Sequence, residues 1–148
     1  MKPDAVERHL AGEILSRFER RGFEIRAGKL LHVGRDLAEQ HYAEHSEKPF
    51  FGELVAFITS GPTFALVLEG EGAIEVSRTT IGATNPASSA PGTIRGDLAI
   101  SSSFNLVHGS DSPEAAAREI GLFFRPDEVL DYPVGNRDWV YDVKAELS

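Results

Sequence analysis

An α+β fold, an antiparallel sheet with helices on its faces, is predicted for this chain of 148 residues. Three observations predict it. Segments of helical apolar period alternate with short apolar runs, in the order helix, strand, helices, strand, helix, strand, helix. The run Phe64 to Leu68 is wholly apolar, as in a strand covered on both faces. Ser112-Pro113-Glu114 directly follows the run Leu106 to His108. It supplies an N-cap, a proline suited to the first helical position and an acid for the positive helix end.

Taken in order, Val6, Leu10, Ile14 and Phe18 recur every four residues and predict one helix stopped at Gly22. Phe23, Ile25 and Ala27 alternate with polar residues, and Leu30, Leu31 and Val33 continue them as a strand. Short helices are expected from Asp36 to Glu44 and from Pro49 to Ser60, the second opened by proline and closed by Gly61. Glu71 to Ile81 is a further helix. Gly82 to Gly96 is rich in Gly, Pro, Ser and Thr and reads as a loop long enough to suggest function. Leu106 to His108 is the last strand, and Ala115, Ala116, Ile120, Leu122 and Phe123 mark the amphipathic helix after it. Beyond Phe124 the chain is irregular. This is the ferredoxin-like βαββαβ order with its first strand missing.

The length predicts a single domain over residues 1–148. A hydrophobic content of 41% with nine Phe suffices for a core. A net charge of −8 argues against a basic face for duplex nucleic acid, though not against a local pocket for polyphosphate. The absence of cysteine excludes a disulfide framework and thiolate metal sites and is compatible with a cytoplasmic location. Met1 to Leu10 is polar, unlike a secretory signal, and no apolar run is long enough to span a membrane. Neither a P-loop nor a G-x-G-x-x-G turn occurs.

The chemistry concentrates in Asn105-Leu106-Val107-His108-Gly109-Ser110-Asp111-Ser112. His108 stands just before a helix start, where free backbone N–H groups suit an anion. Glu119 lies on that helix within reach of the imidazole. A histidine held by a carboxylate through one ring nitrogen has a fixed tautomer and a free nucleophilic nitrogen. His41 and His45 have a spacing suited to a metal on a helix. No third ligand accompanies them, so a solvated helix face is the plainer expectation.

That octapeptide resembles the active-site signature of nucleoside diphosphate kinases. Further blocks resemble the family in its order and spacing: Lys2-Pro3-Asp4-Ala5-Val6, Pro49-Phe50-Phe51, Thr59-Ser60-Gly61-Pro62, Gly82-Ala83-Thr84-Asn85-Pro86-Ala87 and Pro91-Gly92-Thr93-Ile94-Arg95-Gly96-Asp97. Trp139-Val140-Tyr141 resembles its C-terminal segment, so the likeness runs from Lys2 to about Asp142. It implies ping-pong transfer of a γ-phosphate from a nucleoside triphosphate to a nucleoside diphosphate, with His108 phosphorylated on its δ nitrogen and Glu119 orienting the other. It implies Lys2, Arg78 and Arg95 as phosphate-binding cations, Lys2 also among the catalytic groups. Thr84 would bind phosphate, Asn105 the sugar 3′-hydroxyl and Phe50 the stacked base. Tyr42 would lie near the phosphates and Ser110 near the histidine. Mg²⁺ is implied on the phosphates, with no protein carboxylate cage. A homo-oligomer is implied too, and a hexamer is expected over a tetramer. The loop carrying Pro86 and the tail with Trp139 and Tyr141 favour the hexamer; Phe104, where the family has Arg, keeps the tetramer open. An apolar strand precedes the Lys-Pro-Asp block in the family; an upstream segment of this kind is expected here, or else a gap in the sheet. The alternative expectation is a binding or regulatory paralogue that keeps the fold without turnover.

Overall fold

The computed structural model describes residues 1–142. Two strands, β1 (Glu24–His32) and β2 (Pro62–Glu69), pair antiparallel, with Glu24 opposite Glu69 and His32 opposite Pro62. The register slips between Ile25 and Ala27. Arg26, left over at that bulge, is buried, and its guanidinium binds Glu24 at 2.6 Å and Glu69 at 3.0 Å. Around the pair lie α1 (Pro3–Glu7), α2 (Ala11–Arg21), α3 (Arg35–His41), α4 (Phe51–Ile58), α5 (Ala73–Ile81), α6 (Ile94–Leu98) and α7 (Pro113–Phe123). This is the expected α+β arrangement of an antiparallel sheet with helices on it.

The first helical stripe is two helices instead of one. His9 takes a positive φ of 59°, and the N–H of Leu10 reaches back to the Ala5 carbonyl at 2.9 Å. That closes α1 before α2 begins. The stripe itself survives the break, since Ile14 and Phe18 are buried and Leu10 packs against them. Gly22 ends α2 at φ 110°, as a glycine cap should.

β2 is less covered than its apolar run predicts: only Thr63 and Val67 are buried. Along its free edge Met1 exchanges two backbone bonds with Phe64, at 2.6 and 3.0 Å. Met1, Leu66, Leu68, Val107 and Ile120 line a mostly apolar cavity of about 200 Å³. His108 and Glu119 line the same cavity.

Leu106 to His108 is not a strand. Leu106 and Val107 are buried, as their apolarity demands. The backbone, however, makes a γ-turn: Leu106 has φ 71° and the Val107 N–H bonds the Asn105 carbonyl at 2.8 Å. A leucine in this region is strained by roughly 1–3 kcal/mol. The surroundings hold it there. The Leu106 N–H donates to Asp4 Oδ2 at 2.9 Å, and its carbonyl accepts from the Lys2 N–H at 2.8 Å.

The expected loop from Gly82 to Gly96 carries structure of its own. Asn85 caps a short 3₁₀ turn, and Thr93 caps α6. At Gly96 a Cβ would lie 2.1 Å from the Ala90 carbonyl oxygen, so only glycine allows this fold of the loop.

Candidate functional site

The nucleophile candidate sits where the γ-turn hands over to α7. Ser112 caps that helix, its Oγ accepting from the Ala115 N–H at 3.0 Å. Gly109 lies between them close against Ile81: a Cβ there would sit 2.8 Å from Ile81 Cδ1, which would have to shift. About two turns into α7, Glu119 turns back toward the imidazole, and its Oε1 lies 2.7 Å from His108 Nε2. Ser110 Oγ donates to the other carboxylate oxygen. Burial works to raise the Glu119 pKa, but the bonds from His108 and Ser110 and the nearby imidazoles outweigh it and bring it down to about 2. The carboxylate is therefore charged across the physiological range. Nε2 of His108 then carries the proton toward it, and Nδ1 is left as a free ring nitrogen with no partner among the described residues.

Beneath this pair lies a residue that sequence reasoning placed elsewhere. His41 does not line a solvated face with His45; it is 5% exposed. Its ring meets those of Tyr42 and His108 at 4.6 Å each and that of Phe123 at 5.3 Å. Its Nδ1 is buried without a hydrogen-bond partner, 4.0 Å from Glu119 Oε1. Burial, helped by His108, pushes its pKa down to about 4, so it is neutral. The signal was present: Ala38, His41 and Tyr42 share the buried stripe of α3. Tyr42 is buried as well, and burial with the charge of Glu119 raises its phenol to about 12.

The second half of the site is a cradle built on Asn105. Its Nδ2 donates to the Thr84 carbonyl at 2.9 Å, and its Oδ1 accepts from Lys2 Nζ. Arg95, at the start of α6, is buried and grips backbone carbonyls of Asn105 at 3.1 Å, Gly82 at 3.1 Å and Val107 at 2.6 Å. A guanidinium has five N–H donors, so these three leave two. Arg78 reaches the same corner from α5, its Nη1 donating to the Gly109 carbonyl at 2.9 Å. Burial depresses Lys2 to about 8, with the Arg95 charge adding to this and Asp4 opposing it. Asp4, not singled out from sequence as a site residue, is the buried acceptor that holds Leu106 in its turn.

Lys2, Arg78, Thr84, Arg95 and Asn105 thus converge on one cradle, and Ser110, Glu119, Tyr42 and His41 on the His108 corner. Phe50 is set apart. It caps α4 with its ring 44% exposed and 5.7 Å from that of His45. Phe51 packs into the core beside Val55 and Ile58.

Comparison with known proteins gives the family of this chain. The family model described as nucleoside diphosphate kinase matches residues 1–129. A nucleoside diphosphate kinase from Archaeoglobus fulgidus is 55% identical over 96% of this chain and 94% of its own. One from Brevibacillus brevis is 56% identical over 95% of each chain. The solved structure of a halophilic nucleoside diphosphate kinase from Halobacterium salinarum in complex with CDP superposes with a TM-score of 0.92. It is 48% identical, over 95% of this chain and 93% of that one. These relatives carry the kinase reading and give no support to a paralogue without turnover.

Proposed function

We propose, for a chain that belongs to the nucleoside diphosphate kinase family, that His108 carries the phosphate between two half-reactions. Nδ1 attacks the γ-phosphorus of a nucleoside triphosphate in line; the P–O bond to the β-phosphate breaks and the diphosphate leaves. A second diphosphate then attacks the phosphohistidine with its terminal oxygen and departs as a triphosphate. Glu119 holds Nε2 throughout and stabilises the positive ring. Ser110 fixes Glu119. Lys2, Arg78 and the two spare donors of Arg95 face the phosphates, Thr84 adds its hydroxyl, and Asn105 binds the sugar. Tyr42 walls the pocket as a neutral phenol. Phe50 offers its exposed ring as a base platform indifferent to base identity. Mg²⁺ enters on the nucleotide phosphates and neutralises their charge.

The observation that carries this reading is the 2.7 Å contact of His108 Nε2 with Glu119, which leaves Nδ1 free. Incubation with γ-labelled triphosphate and Mg²⁺ tests it. The protein is expected to take up an acid-labile, base-stable label. His108→Ala is expected to lose label and exchange together, by at least about 10⁴-fold, while still binding nucleotide. Retained labelling in that variant overturns the assignment.

The proposal extends to a cytoplasmic single-domain enzyme over residues 1–148, assembled as a hexamer. Among the described residues no helix is long and apolar enough to cross a membrane. Trp139, Ile100 and Phe104 are 91%, 88% and 53% exposed, apolar area that subunit contact would cover. Light scattering decides, and a mass of four subunits or fewer refutes the hexamer.

A further inference from the structure

Three ligand atoms converge at the His108 corner, and one of them, on His41, has no part in phosphoryl transfer. Ring nitrogens of His41 and His108 and a carboxylate oxygen of Glu119 all lie within 4.8 Å of one another. His41 Nδ1 is the unexplained member. It is buried, makes no hydrogen bond, and faces Glu119 Oε1 across 4.0 Å. An unsatisfied buried ring nitrogen costs free energy, and a ring nitrogen that faces a carboxylate oxygen without a hydrogen bond is an arrangement that a metal ion between them would satisfy.

We propose that this corner binds one Zn²⁺ ion through His41 Nδ1, His108 Nε2 and Glu119, and that the ion silences the nucleophile. Two imidazoles and one carboxylate form a three-ligand set with a fourth position open, the pattern of zinc sites that keep an exchangeable ligand. The donor set favours a borderline ion over Mg²⁺, which prefers oxygen ligands and retains water. A tetrahedral site with bonds of about 2.0 Å has ligand edges of about 3.3 Å. The 4.0 Å edge needs to shorten and the 2.7 Å edge to open, each by under about 1 Å, and the third edge, within 4.8 Å, to shorten by at most about 1.5 Å, which side-chain rotation supplies. His108 is 41% exposed at its side chain, so the ion has an entry path.

The consequence follows from the tautomer. Zn²⁺ takes the place of the proton that Nε2 shares with Glu119. That proton moves to Nδ1, so the neutral ring gains a metal at one nitrogen and a hydrogen at the other. Nδ1 then has no lone pair to attack phosphorus. The binding of the ion stands on this geometry alone; its effect on turnover rests on the reading of His108 as the nucleophile.

Equilibrium dialysis of the full chain against Zn²⁺ in excess Mg²⁺ tests the site, with Co²⁺ as an optical probe. One Zn²⁺ per chain is expected, with four-coordinate visible bands for Co²⁺ and a higher melting temperature with Zn²⁺. His41→Phe keeps a ring in the packing and His41→Gln a polar group. Both are expected to weaken Zn²⁺ at least about tenfold and to abolish the melting shift, as is His108→Ala. Zn²⁺ should lower labelling of the native chain at concentrations that leave His41→Phe unaffected. Absence of binding, or equal binding in all variants, overturns the site. Absence of labelling with Mg²⁺ alone overturns the reading of His108 and leaves the dialysis result to judge the zinc site.

Discussion

Around His108 the polar groups bond to other side chains, whereas around Asn105 they bond mostly to the backbone, the Lys2–Asn105 bond being the exception. Glu119 joins His108 and Ser110, and His41 packs below them, and every one of these side chains can rotate. In the cradle, Arg95 spans carbonyls from Gly82 to Val107, and Asp4 and Lys2 hold the backbone of Leu106. Backbone acceptors neither titrate nor change rotamer. The corner that forms and breaks a bond is thus adjustable, and the cradle that receives charge is stiff. Preorganised donors stabilise developing charge without reorganising, while a nucleophile needs a tunable tautomer.

The contrast breaks most visibly at its stiffest point. Arg95→Ala leaves three carbonyls without their donor and loosens the γ-turn. A loss of about 4 kcal/mol of unfolding free energy is expected in urea, most of it retained across neutral pH. A stability near that of the native chain would mean that water replaces the guanidinium and the cradle is not rigid.

Acid should single out the corner. The ordinary histidine value of 6.5 becomes about 4 for His41, so the unfolded chain binds this proton first as pH falls. The associated stability is full above about pH 6.5 and is lost as pH drops through about 4, roughly 3 kcal/mol in all. Glu119, depressed to about 2, extends the loss below pH 4.5. A urea series from pH 7 to 4 should show this slope in the native chain and a flatter one in His41→Phe.

Glu119→Gln separates turnover from folding. It preserves size but removes the charge that steadies the ring cation, and a roughly hundredfold drop in kcat is expected. The melting temperature should move little, since burying the carboxylate carries its own cost. A fall in KM-controlled binding with kcat intact would reassign Glu119 to the cradle. The smallest effect belongs to Ser110→Ala, which takes one donor from Glu119. A severalfold loss of kcat and about 1 kcal/mol of stability are expected.

Much of the site is legible without coordinates, for reasons that differ residue by residue. Ser112-Pro113 announces the start of α7, and seven residues of helix spacing return Glu119 to the side of Ser112, facing His108. The stop at Gly22 and the apolar run in β2 are equally local. His41 was missed because histidine is amphipathic: its side of α3 is set by Ala38 and Tyr42, not by its own polarity. The zinc-like spacing of His41 and His45 then distracted from its true neighbour, His108, 67 positions on.

Sequence alone therefore determined most of the helices, the strands β1 and β2, the cap that places His108 and the list of charged and hydroxyl residues near it. Those depend on period, propensity and turn chemistry within a few residues. Only the tertiary structure decided that Leu106 bends through a γ-turn in place of a strand, that α1 and α2 part at His9, and that His41 lies under Glu119. Each of these is a backbone or burial choice made by partners far along the chain. Leu106 is apolar enough for a strand, but Asp4 and Lys2, about a hundred residues earlier, take its N–H and its carbonyl. A buried backbone group goes where its partner is, and no local pattern records where that is.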